Sequence, residues 1–319
     1  MLTFLCDTCE PYLMPPLSVH LLRATLIPFS LALAALAALP AHAAVDTMSK
    51  IRETRTIVLG VREAATPFSF VNAQNQPVGY SVDLCMNAVE EIKRELKLSD
   101  IKVQYKLVSG PDRIPKLLAG EIDLECGSTT NTIARQERVD FSYTFFVAGM
   151  RVLTSHTLHV DTVKDLQKQP VALTKGTTSE KLFRQLAEGE LRDSKFTTYD
   201  NNGEAYKALK EGKVRAFAQD DSLLQGLVSN DRTIDAFSLS RLALSVEPYA
   251  VMARKGDTAL LAAVDRSLAQ LYASGEINKL YDKWFNTRTL TIKMGRLTRD
   301  SFVRPNKQPG VAMVLGHSI

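Results

Sequence analysis

Histidine, cysteine and tryptophan are scarce in this 319-residue chain, which contains five, four and one of them respectively. His20 and His42 lie in an apolar amino-terminal segment and His317 lies near the carboxyl end, so only His156 and His159 fall in the central sequence. The chain is therefore poorly supplied for a Ser/His/Asp or Cys/His catalytic apparatus and for a histidine-rich metal site. We expect no enzymatic activity, no metal and no cofactor.

Basic blocks and phosphate-binding glycine motifs are missing as well. The formal net charge is only +4, and the lysines and arginines are interspersed with acids rather than with aromatic residues, which argues against nucleic-acid binding. Neither a G-x-G-x-x-G nor a P-loop pattern occurs, so nucleotide chemistry has no support. The hydrophobic content of 45% indicates instead a globular chain that is long enough for two domains.

The amino-terminal segment has the pattern of a secretory signal. Arg23 precedes an apolar run over residues 24–39, and the small-residue motif Ala-His-Ala follows at 41–43. This pattern predicts cleavage after Ala43 and export to the periplasm, with an uncleaved anchor as the alternative. Because residues 1–13 precede the signal pattern and are not part of it, we expect Met14 to be the true initiator.

The four cysteines form two pairs. Cys6 and Cys9 have C-x-x-C spacing, but no second such pair completes a zinc site, and both precede the expected initiator. Cys85 and Cys126 remain in the mature chain. In an oxidising compartment they can form one disulfide if the fold brings their Cα atoms within about 7 Å, and free buried thiols are the alternative.

Short apolar runs alternate with amphipathic stretches from Thr54 onward. Strands are expected at 56–61, 102–108, 122–127, 170–174, 195–199 and 214–219, and helices at 83–96, 113–120, 179–189, 204–213, 260–271 and 277–284. This alternation predicts α/β architecture with mostly parallel sheets. From about Arg296 the sequence contains proline and glycine without periodicity, so we expect an irregular tail.

Two extended apolar stretches, 145–155 and 242–255, connect the α/β units without a loop signal. We expect the chain to leave a first lobe, build a second and return. The predicted parts are a signal at 1–43, lobe 1 at 44–147 plus 247–290, lobe 2 at 148–246 and a tail at 291–319. Ligands of open α/β sheets bind beyond the carboxyl ends of the strands, so a cleft between the lobes is the expected site.

A run of hydroxyl residues precedes an arginine within segment 127–146. Residues 128–130 are Ser-Thr-Thr, and Arg135 follows five residues later. Hydroxyls, backbone N–H groups and a guanidinium in this order suit the capture of a carboxylate. That carboxylate could belong to a ligand or to the protein itself, for example to Glu137 or Asp140 in a surface ion pair.

The sequence resembles the periplasmic amino-acid-binding proteins of ABC importers, and among them the glutamate/aspartate-binding proteins. The motifs that carry the resemblance are VREAATPFSF, PVGYSVDL, the long segment 112–154, KGTTSE, AFAQDDSLL and SGEINKLYDKWF, which follow the family order over residues 54–285. The resemblance implies the type II binding-protein fold, with two α/β lobes joined by two extended crossings. It also implies a monomer that captures glutamate or aspartate by cleft closure and delivers it to a membrane permease.

The resemblance assigns the contacts that any amino acid would need. Arg135 would bind the ligand α-carboxylate through paired donors. Thr130 and Thr178 would add backbone N–H groups, the latter where a helix begins and its dipole favours an anion. Asp220 would accept hydrogen bonds from the α-ammonium group, with help from Ser128.

Selectivity for an acidic side chain would come from two further arginines. Arg62 and Arg113 would reach the side-chain end of the ligand, where a neutral group would leave at least one buried guanidinium unpaired. Close glutamate/aspartate binders tend to have serine where Gly110 stands and histidine where Asn202 stands. We expect Asn202 to be a ligand-binding residue as well, and these two departures leave the preference between glutamate and aspartate open.

Each of these ligand-binding assignments has an alternative in which the residue has only a structural role. Arg62 could be a charge at a strand edge, and Arg113 could cap its own helix through Asp112. Ser128 and Thr130 could satisfy only local backbone groups. One member of the acidic pair at 220–221 is expected to be solvated or to cap a helix.

The fold alone leaves two other functions open. An exported enzyme that resembles the cyclohexadienyl dehydratases could use a carboxylate general acid such as Glu125. A sensor whose closed lobes dock on a receptor would need the same hinge and cleft as a transport protein.

Overall fold

The computed structural model describes residues 46–231, 236–313 and 317–318. The expectations about the export signal, its cleavage after Ala43, the initiator Met14 and the pair Cys6 and Cys9 all concern residues outside these ranges. No helix in the described part of the chain combines the length and apolar character needed to cross a bilayer.

Strands and helices alternate along the chain. The strands are β1 (Thr56–Val61), β2 (Ala64–Ala65), β3 (Ser69–Val71), β4 (Pro77–Val78), β5 (Lys102–Leu107), β6 (Leu124–Glu125), β7 (Val139–Phe141), β8 (Phe146–Ser155), β9 (Pro170–Thr174), β10 (Lys195–Tyr199), β11 (Ala216–Asp220), β12 (Phe237–Leu239), β13 (Ser245–Tyr249), β14 (Met252–Arg254), β15 (Val311–Ala312) and β16 (His317–Ser318). The helices are α1 (Thr47–Thr54), α2 (Tyr80–Leu96), α3 (Arg113–Leu118), α4 (Ile133–Gln136), α5 (Thr178–Ala187), α6 (Asn202–Lys210), α7 (Asp221–Asn230), α8 (Thr258–Ser274), α9 (Glu276–Phe285) and α10 (Arg296–Val303), with a 3-10 helix at Val163–Leu166. The predicted strands at 56–61, 170–174 and 195–199 have the predicted bounds.

The first lobe is built on a five-stranded sheet of order β5-β1-β6-β14-β7. β1 pairs in parallel with β5 and β6, while β14 returns antiparallel to β6 and β7. α2 covers this sheet because its apolar residues recur at helical spacing, and Leu84, Cys85, Ala88 and Ile92 are buried. The disulfide between Cys85 and Cys126 joins α2 to the end of β6, with Cα atoms 6.2 Å apart. Of the two alternatives for this pair, the structure has the disulfide.

The second lobe is built on an eight-stranded sheet in which β10-β9-β11-β8-β13-β15-β16 are ordered side by side and β12 pairs with β8. β9 pairs in parallel with β10 and β11, and α5 and α6 pack on these strands. The result is a second α/β unit with its own apolar core, as the alternation of the sequence predicts.

The two predicted crossings are β8 and β13, which pair antiparallel from Phe146 opposite Tyr249 to Met150 opposite Ser245. Aromatic rings pack where these strands meet the first lobe. The rings of Phe146 and Phe285 stack with centroids 5.1 Å apart, and Phe68 meets Tyr249 edge to face at 5.0 Å. This aromatic cluster anchors the crossings to the first lobe.

The expectation of an irregular tail after Arg296 is wrong. Residues 296–303 form α10, whose Thr298 hydroxyl accepts a hydrogen bond from the Val147 amide at 3.0 Å, and β15 pairs with β13 at the edge of the second sheet. The buried residues of α10 are Thr298 and Ser301 rather than large apolar ones, so no apolar stripe marks the helix in the sequence. The segment therefore runs along both crossings and touches each lobe.

Candidate functional site

One cavity between the lobes brings together all eight residues that the sequence singles out. It is narrow and is lined by Arg62, Arg113, Ser128, Thr130, Arg135, Thr177, Thr178, Asn202, Gln219, Asp220 and Leu223. Three of these residues, Thr177, Gln219 and Leu223, lie within the quoted motifs, but the sequence predicts no role for them. A larger groove runs along α10, but its arginines Arg296 and Arg304 are exposed, so it does not concentrate buried charge.

The ends of strands and the starts of helices position these side chains. Arg62 directly follows β1, and Asp220 is the last residue of β11. Arg113, Thr178 and Asn202 are the first residues of α3, α5 and α6. Because parallel strands present their carboxyl ends at one edge of each sheet, residues from both lobes converge on the cleft between them.

Arg135 is fixed by its own short helix and by the opposite lobe. The Thr132 hydroxyl caps α4 by accepting a hydrogen bond from the Arg135 amide at 3.2 Å. Nη1 of Arg135 donates to the carbonyl of Thr130 at 2.8 Å, and Nη2 donates to the carbonyl of Gly176 at 3.3 Å. Burial lowers the pKa of Arg135 to about 9, and repulsion from Arg113 adds to the effect.

The surface ion pair considered for Arg135 does not form. Asp140 pairs with Lys255 instead, with 2.9 Å between the charged atoms, and Arg135 has no ion pair within the described ranges. Its guanidinium points into the cavity with its remaining N–H groups free for another acceptor.

Arg113 also spans the cleft and does not cap its helix through Asp112. Nη1 donates to the Thr129 hydroxyl at 2.7 Å, and Nη2 donates to the carbonyl of Gly176 at 3.2 Å. Asp112 pairs with Lys116 at 2.7 Å. Burial lowers the pKa of Arg113 from its ordinary value.

Arg62 is a buried residue of the cavity wall and not an exposed charge at a strand edge. Only 5% of its surface is exposed, and its guanidinium has no hydrogen bond or ion pair with any residue that the structure describes. Burial lowers the pKa of Arg62 to about 10, and repulsion from Arg113 adds to the effect while the charge of Glu125 opposes it. Two cationic groups therefore face the same end of the cavity without an acid hydrogen-bonded to either.

Asp220 is a buried carboxylate with one oxygen left open. Its Oδ2 accepts a hydrogen bond from the Tyr249 hydroxyl, and its Oδ1 has no partner among the described residues. Burial raises the pKa of Asp220 well above its ordinary value, and the charge of Glu247 adds to the rise. Asp221 instead accepts hydrogen bonds from the Ser222 amide at 2.7 Å and from the Gly149 amide of β8 at 3.3 Å, and neither acid of the pair makes the helix-capping hydrogen bond considered for it.

Glu247 is a second buried carboxylate, and the sequence analysis missed it. It lies on β13, where its carboxylate accepts hydrogen bonds from the hydroxyls of Ser245 and, at 3.0 Å, of Thr178. Burial raises the pKa of Glu247, and the hydroxyl donors oppose the rise. A single acid inside an otherwise apolar crossing is the signal that could have identified it.

The hydroxyl groups that line the cavity differ in the hydrogen bonds they make. Thr177 caps α5 by accepting a hydrogen bond from the Glu180 amide at 3.1 Å. Because the first N–H groups of a helix lack intrahelical partners, the start of α5 at Thr178 is electrostatically suited to an anion. The Ser128 hydroxyl makes no hydrogen bond within the described ranges, so it does not satisfy a neighbouring backbone group.

Asn202 ties the lobes together. Its side-chain oxygen accepts hydrogen bonds from the Thr174 hydroxyl at 2.8 Å and from the Gln219 amide at 3.0 Å. Its side-chain nitrogen donates to the carbonyl of Ala64 in the first lobe at 3.1 Å. The Asn202 side chain is therefore already engaged with protein atoms on both sides of the cleft.

The lobes are closed on each other in this structure. Gly176, which begins the turn into α5, accepts hydrogen bonds from both Arg113 and Arg135 of the first lobe. Gly110 of the first lobe lies against the backbone of Lys175 so closely that a Cβ atom would not fit. Closure thus brings together the arginines of one lobe and the helix starts of the other.

Comparison with known proteins gives a consistent result. Residues 57–287 match the family model of the bacterial extracellular solute-binding proteins, family 3. The chain is 41% identical over 240 residues to the L-glutamate/L-aspartate-binding protein of Pseudomonas aeruginosa, covering 75% of this chain and 80% of that protein. It is 37% identical over 245 residues to the glutamate/aspartate import solute-binding protein of Escherichia coli, covering 77% and 81%.

A solved structure supports the fold. The crystal structure of an ancestral amino acid-binding protein, described as a precursor of cyclohexadienyl dehydratase, aligns with a TM-score of 0.64. The two chains are 29% identical, and the alignment covers 75% of this chain and 99% of the other. The predicted two-lobed α/β fold is confirmed.

Proposed function

Because the chain belongs to the bacterial extracellular solute-binding proteins, family 3, we propose that it captures glutamate or aspartate and delivers it to the permease of an ABC importer. Relatives that carry this function in their names match most of the chain. The proposal also rests on the charges that face the cavity.

The observation that carries the proposal is the pair Arg62 and Arg113. Both are buried at one end of the cavity, and neither guanidinium has a carboxylate bonded to it among the described residues. Leaving a buried charge without its partner costs roughly 3–5 kcal/mol, so a ligand with a second carboxylate gains this energy and a neutral ligand does not. This difference favours glutamate and aspartate over glutamine and asparagine.

The other polar groups of the cavity suit the α-amino acid group. Arg135 would bind the α-carboxylate together with the N–H groups near Thr130 and the start of α5 at Thr178. The open Oδ1 of Asp220 would accept a hydrogen bond from the α-ammonium group, and Ser128 would contribute its free hydroxyl. Asn202 would form the wall and hold the lobes together rather than bind the ligand directly.

Ligand binding would drive closure. Arg113 and Arg135 reach from the first lobe to Gly176 of the second, and Asp220 lies on the second lobe. A ligand bound to Arg135 and Asp220 at once gains its full set of contacts only when the cleft is shut. It therefore shifts the population toward the closed form, which the permease would recognise.

Export and oligomeric state complete the proposal. We propose cleavage after Ala43, a periplasmic location and action as a monomer. The proposed lobes are residues 44–147 plus 247–290 and residues 148–246. We propose that the segment at 291–319 is part of both lobes, since it runs along the two crossings that join them.

An enzyme on the same fold is the second candidate, because one structural relative is described as a precursor of cyclohexadienyl dehydratase. We propose that this chain is not an enzyme. The cavity surrounds its ligand with guanidiniums, and Asp220, its one lining acid, is placed for an ammonium group.

A thermal-shift screen of the purified protein against all twenty amino acids, combined with a dehydratase assay, tests the proposal. The protein should first be unfolded and refolded to remove any ligand that co-purifies with it. We expect glutamate and aspartate alone to raise the melting temperature by several degrees. Turnover of a cyclohexadienyl substrate, or stabilisation by neutral amino acids only, would contradict the proposal.

A further inference from the structure

Glu125 is a buried acid behind the side-chain end of the cavity, and neither the fold nor the contacts described above account for it. It ends β6 and has no exposed surface. Both carboxylate oxygens are buried without a hydrogen-bond partner among the described residues. A buried acid without donors is costly unless opposite charges stand nearby, so its surroundings must explain it.

Arg62 and Glu125 meet at Gly127. An atom placed where the Cβ of residue 127 would be lies 3.0 Å from Cγ of Arg62 and 3.2 Å from Cδ of Glu125. The missing side chain at Gly127 thus makes room for the Arg62 stem and the Glu125 carboxyl group side by side. The Glu125 carboxyl group can therefore lie near the stem of the arginine that has no partner of its own.

The charge of Glu125 acts on both arginines. Burial lowers the pKa of Arg62 and of Arg113, and the negative charge of Glu125 opposes the lowering in each case. The other groups that act on both arginines are Asp112, which is already paired with Lys116, and the Tyr249 ring.

Arg62, Arg113 and Glu125 together have a net charge of one. Arg62 and Arg113 contribute +2 and Glu125 contributes −1. A side-chain carboxylate, with a charge of −1, then neutralises the set. Without the acid, the two arginines would keep one positive charge that a side-chain carboxylate does not neutralise. They would then bind a group with two negative charges better.

We propose that Glu125 determines specificity by lowering the positive charge around Arg62 and Arg113, so that the site selects a singly charged acidic group over a doubly charged one. The inference rests on the proposed binding of acidic amino acids. Glu125 would act through Arg62 and Arg113 and would not touch the ligand.

O-phosphoserine is a suitable probe, because it has as many bonds between Cα and its acidic group as glutamate has. Its phosphate loses its second proton near pH 6. In titrations of the unmodified protein, the affinity for O-phosphoserine relative to glutamate should rise about tenfold or more when the pH falls from 8 to 5. This comparison of pH values uses only the unmodified protein, so it remains informative if a variant fails to fold.

The variant Glu125→Gln keeps the shape and removes the charge. At pH 8 it should shift the ratio of affinities toward O-phosphoserine by about tenfold or more. Glu121→Gln, whose acid pairs with Lys106 at the surface, is the matched control and should leave the ratio unchanged.

Three results would overturn the inference or its premise, and they are distinguishable. A ratio that moves neither with pH nor with Glu125→Gln would show that Glu125 carries no charge that the ligand senses. Failure of both proteins to bind O-phosphoserine at either pH would show that shape, and not charge, governs this end of the cavity. Failure of the unmodified protein to bind glutamate or aspartate would instead refute the proposed function itself.

Discussion

Gly110 of the first lobe packs against the backbone carbonyl of Lys175 in the second lobe, and a Cβ atom at position 110 would overlap that oxygen. The contact exists only when the cleft is closed, since the two residues belong to different lobes. Replacing Gly110 should therefore penalise closure and leave each lobe intact.

We expect Gly110→Ala to weaken glutamate binding by roughly tenfold or more, while the free energy of unfolding of the ligand-free protein changes by about 0.5 kcal/mol or less. Calorimetric titration and urea unfolding measure the two quantities. Gly189→Ala is the control, because a Cβ atom there meets no atom within 4 Å. Unchanged affinity in Gly110→Ala would mean that the ligand-bound lobes do not approach as closely as they do here.

Arg62 should show a trade-off between stability and binding. Its guanidinium is buried without a hydrogen-bonded partner in the closed structure, so Arg62→Met should stabilise the closed form of the protein by roughly 1–4 kcal/mol. The same change should weaken glutamate binding by about a hundredfold or more, because one of the two groups for the second carboxylate is gone. Urea unfolding and titration of one sample would show both effects.

Arg138→Ala, which removes an exposed arginine of the same lobe, is the control for that experiment. It should alter neither stability nor affinity. Loss of stability in Arg62→Met would show that the charge of Glu125 compensates Arg62 by more than its burial costs.

Asp220 should make the stability of the closed form of the protein fall as the pH rises. Its folded pKa is raised above its ordinary value of 3.8, chiefly by burial. Below about pH 4 the group is protonated in both states and has no effect. Above it, the unfolded chain ionises while the folded protein keeps the proton, so unfolding becomes easier until the folded pKa is passed.

Asp220→Asn should therefore gain stability relative to the unmodified protein, by about 1 kcal/mol or more between pH 4 and pH 7. Chemical unfolding at several pH values measures the difference. Asp193→Asn, at an exposed position, should track the unmodified protein throughout. A constant difference between Asp220→Asn and the unmodified protein would contradict the raised pKa.

The disulfide between Cys85 and Cys126 closes a loop with a sequence separation of 41. Loop-closure entropy predicts that Cys85→Ala with Cys126→Ala lowers the free energy of unfolding by about 4 kcal/mol. A reducing agent should destabilise the unmodified protein by a similar amount and leave the double variant unaffected. Equal unfolding curves with and without the reducing agent would show that the bond does not constrain the unfolded chain.

The parts of the fold that the sequence predicts are those with strong periodicity. β1, β9 and β10 have the predicted bounds because each is a short apolar or alternating run between clear turn residues. α10 escaped prediction because it buries Thr298 and Ser301, and a helix with polar contacts leaves no apolar stripe. The β15 strand is formed by only two residues, too few for any pattern.

Within the site, the sequence identifies residues that belong to recognisable motifs. It misses residues that reach the site only because distant segments of the chain pack together. Arg135 and Asp220 lie in recognisable segments. Glu247 sits in an extended crossing, where alternation suggested a plain strand, and Glu125 was noticed only as an acid that an enzyme could use. Their proximity to the arginines depends on how strands from distant parts of the chain pack together.

The most direct test of the central claim is calorimetric titration of the refolded protein with glutamate and with glutamine, which differ only in whether the side chain ends in a carboxylate or an amide. The account predicts that glutamate binds at least about a hundredfold more tightly, because glutamine would leave Arg62 or Arg113 buried without a partner. Equal affinities, or tighter binding of glutamine, would contradict it.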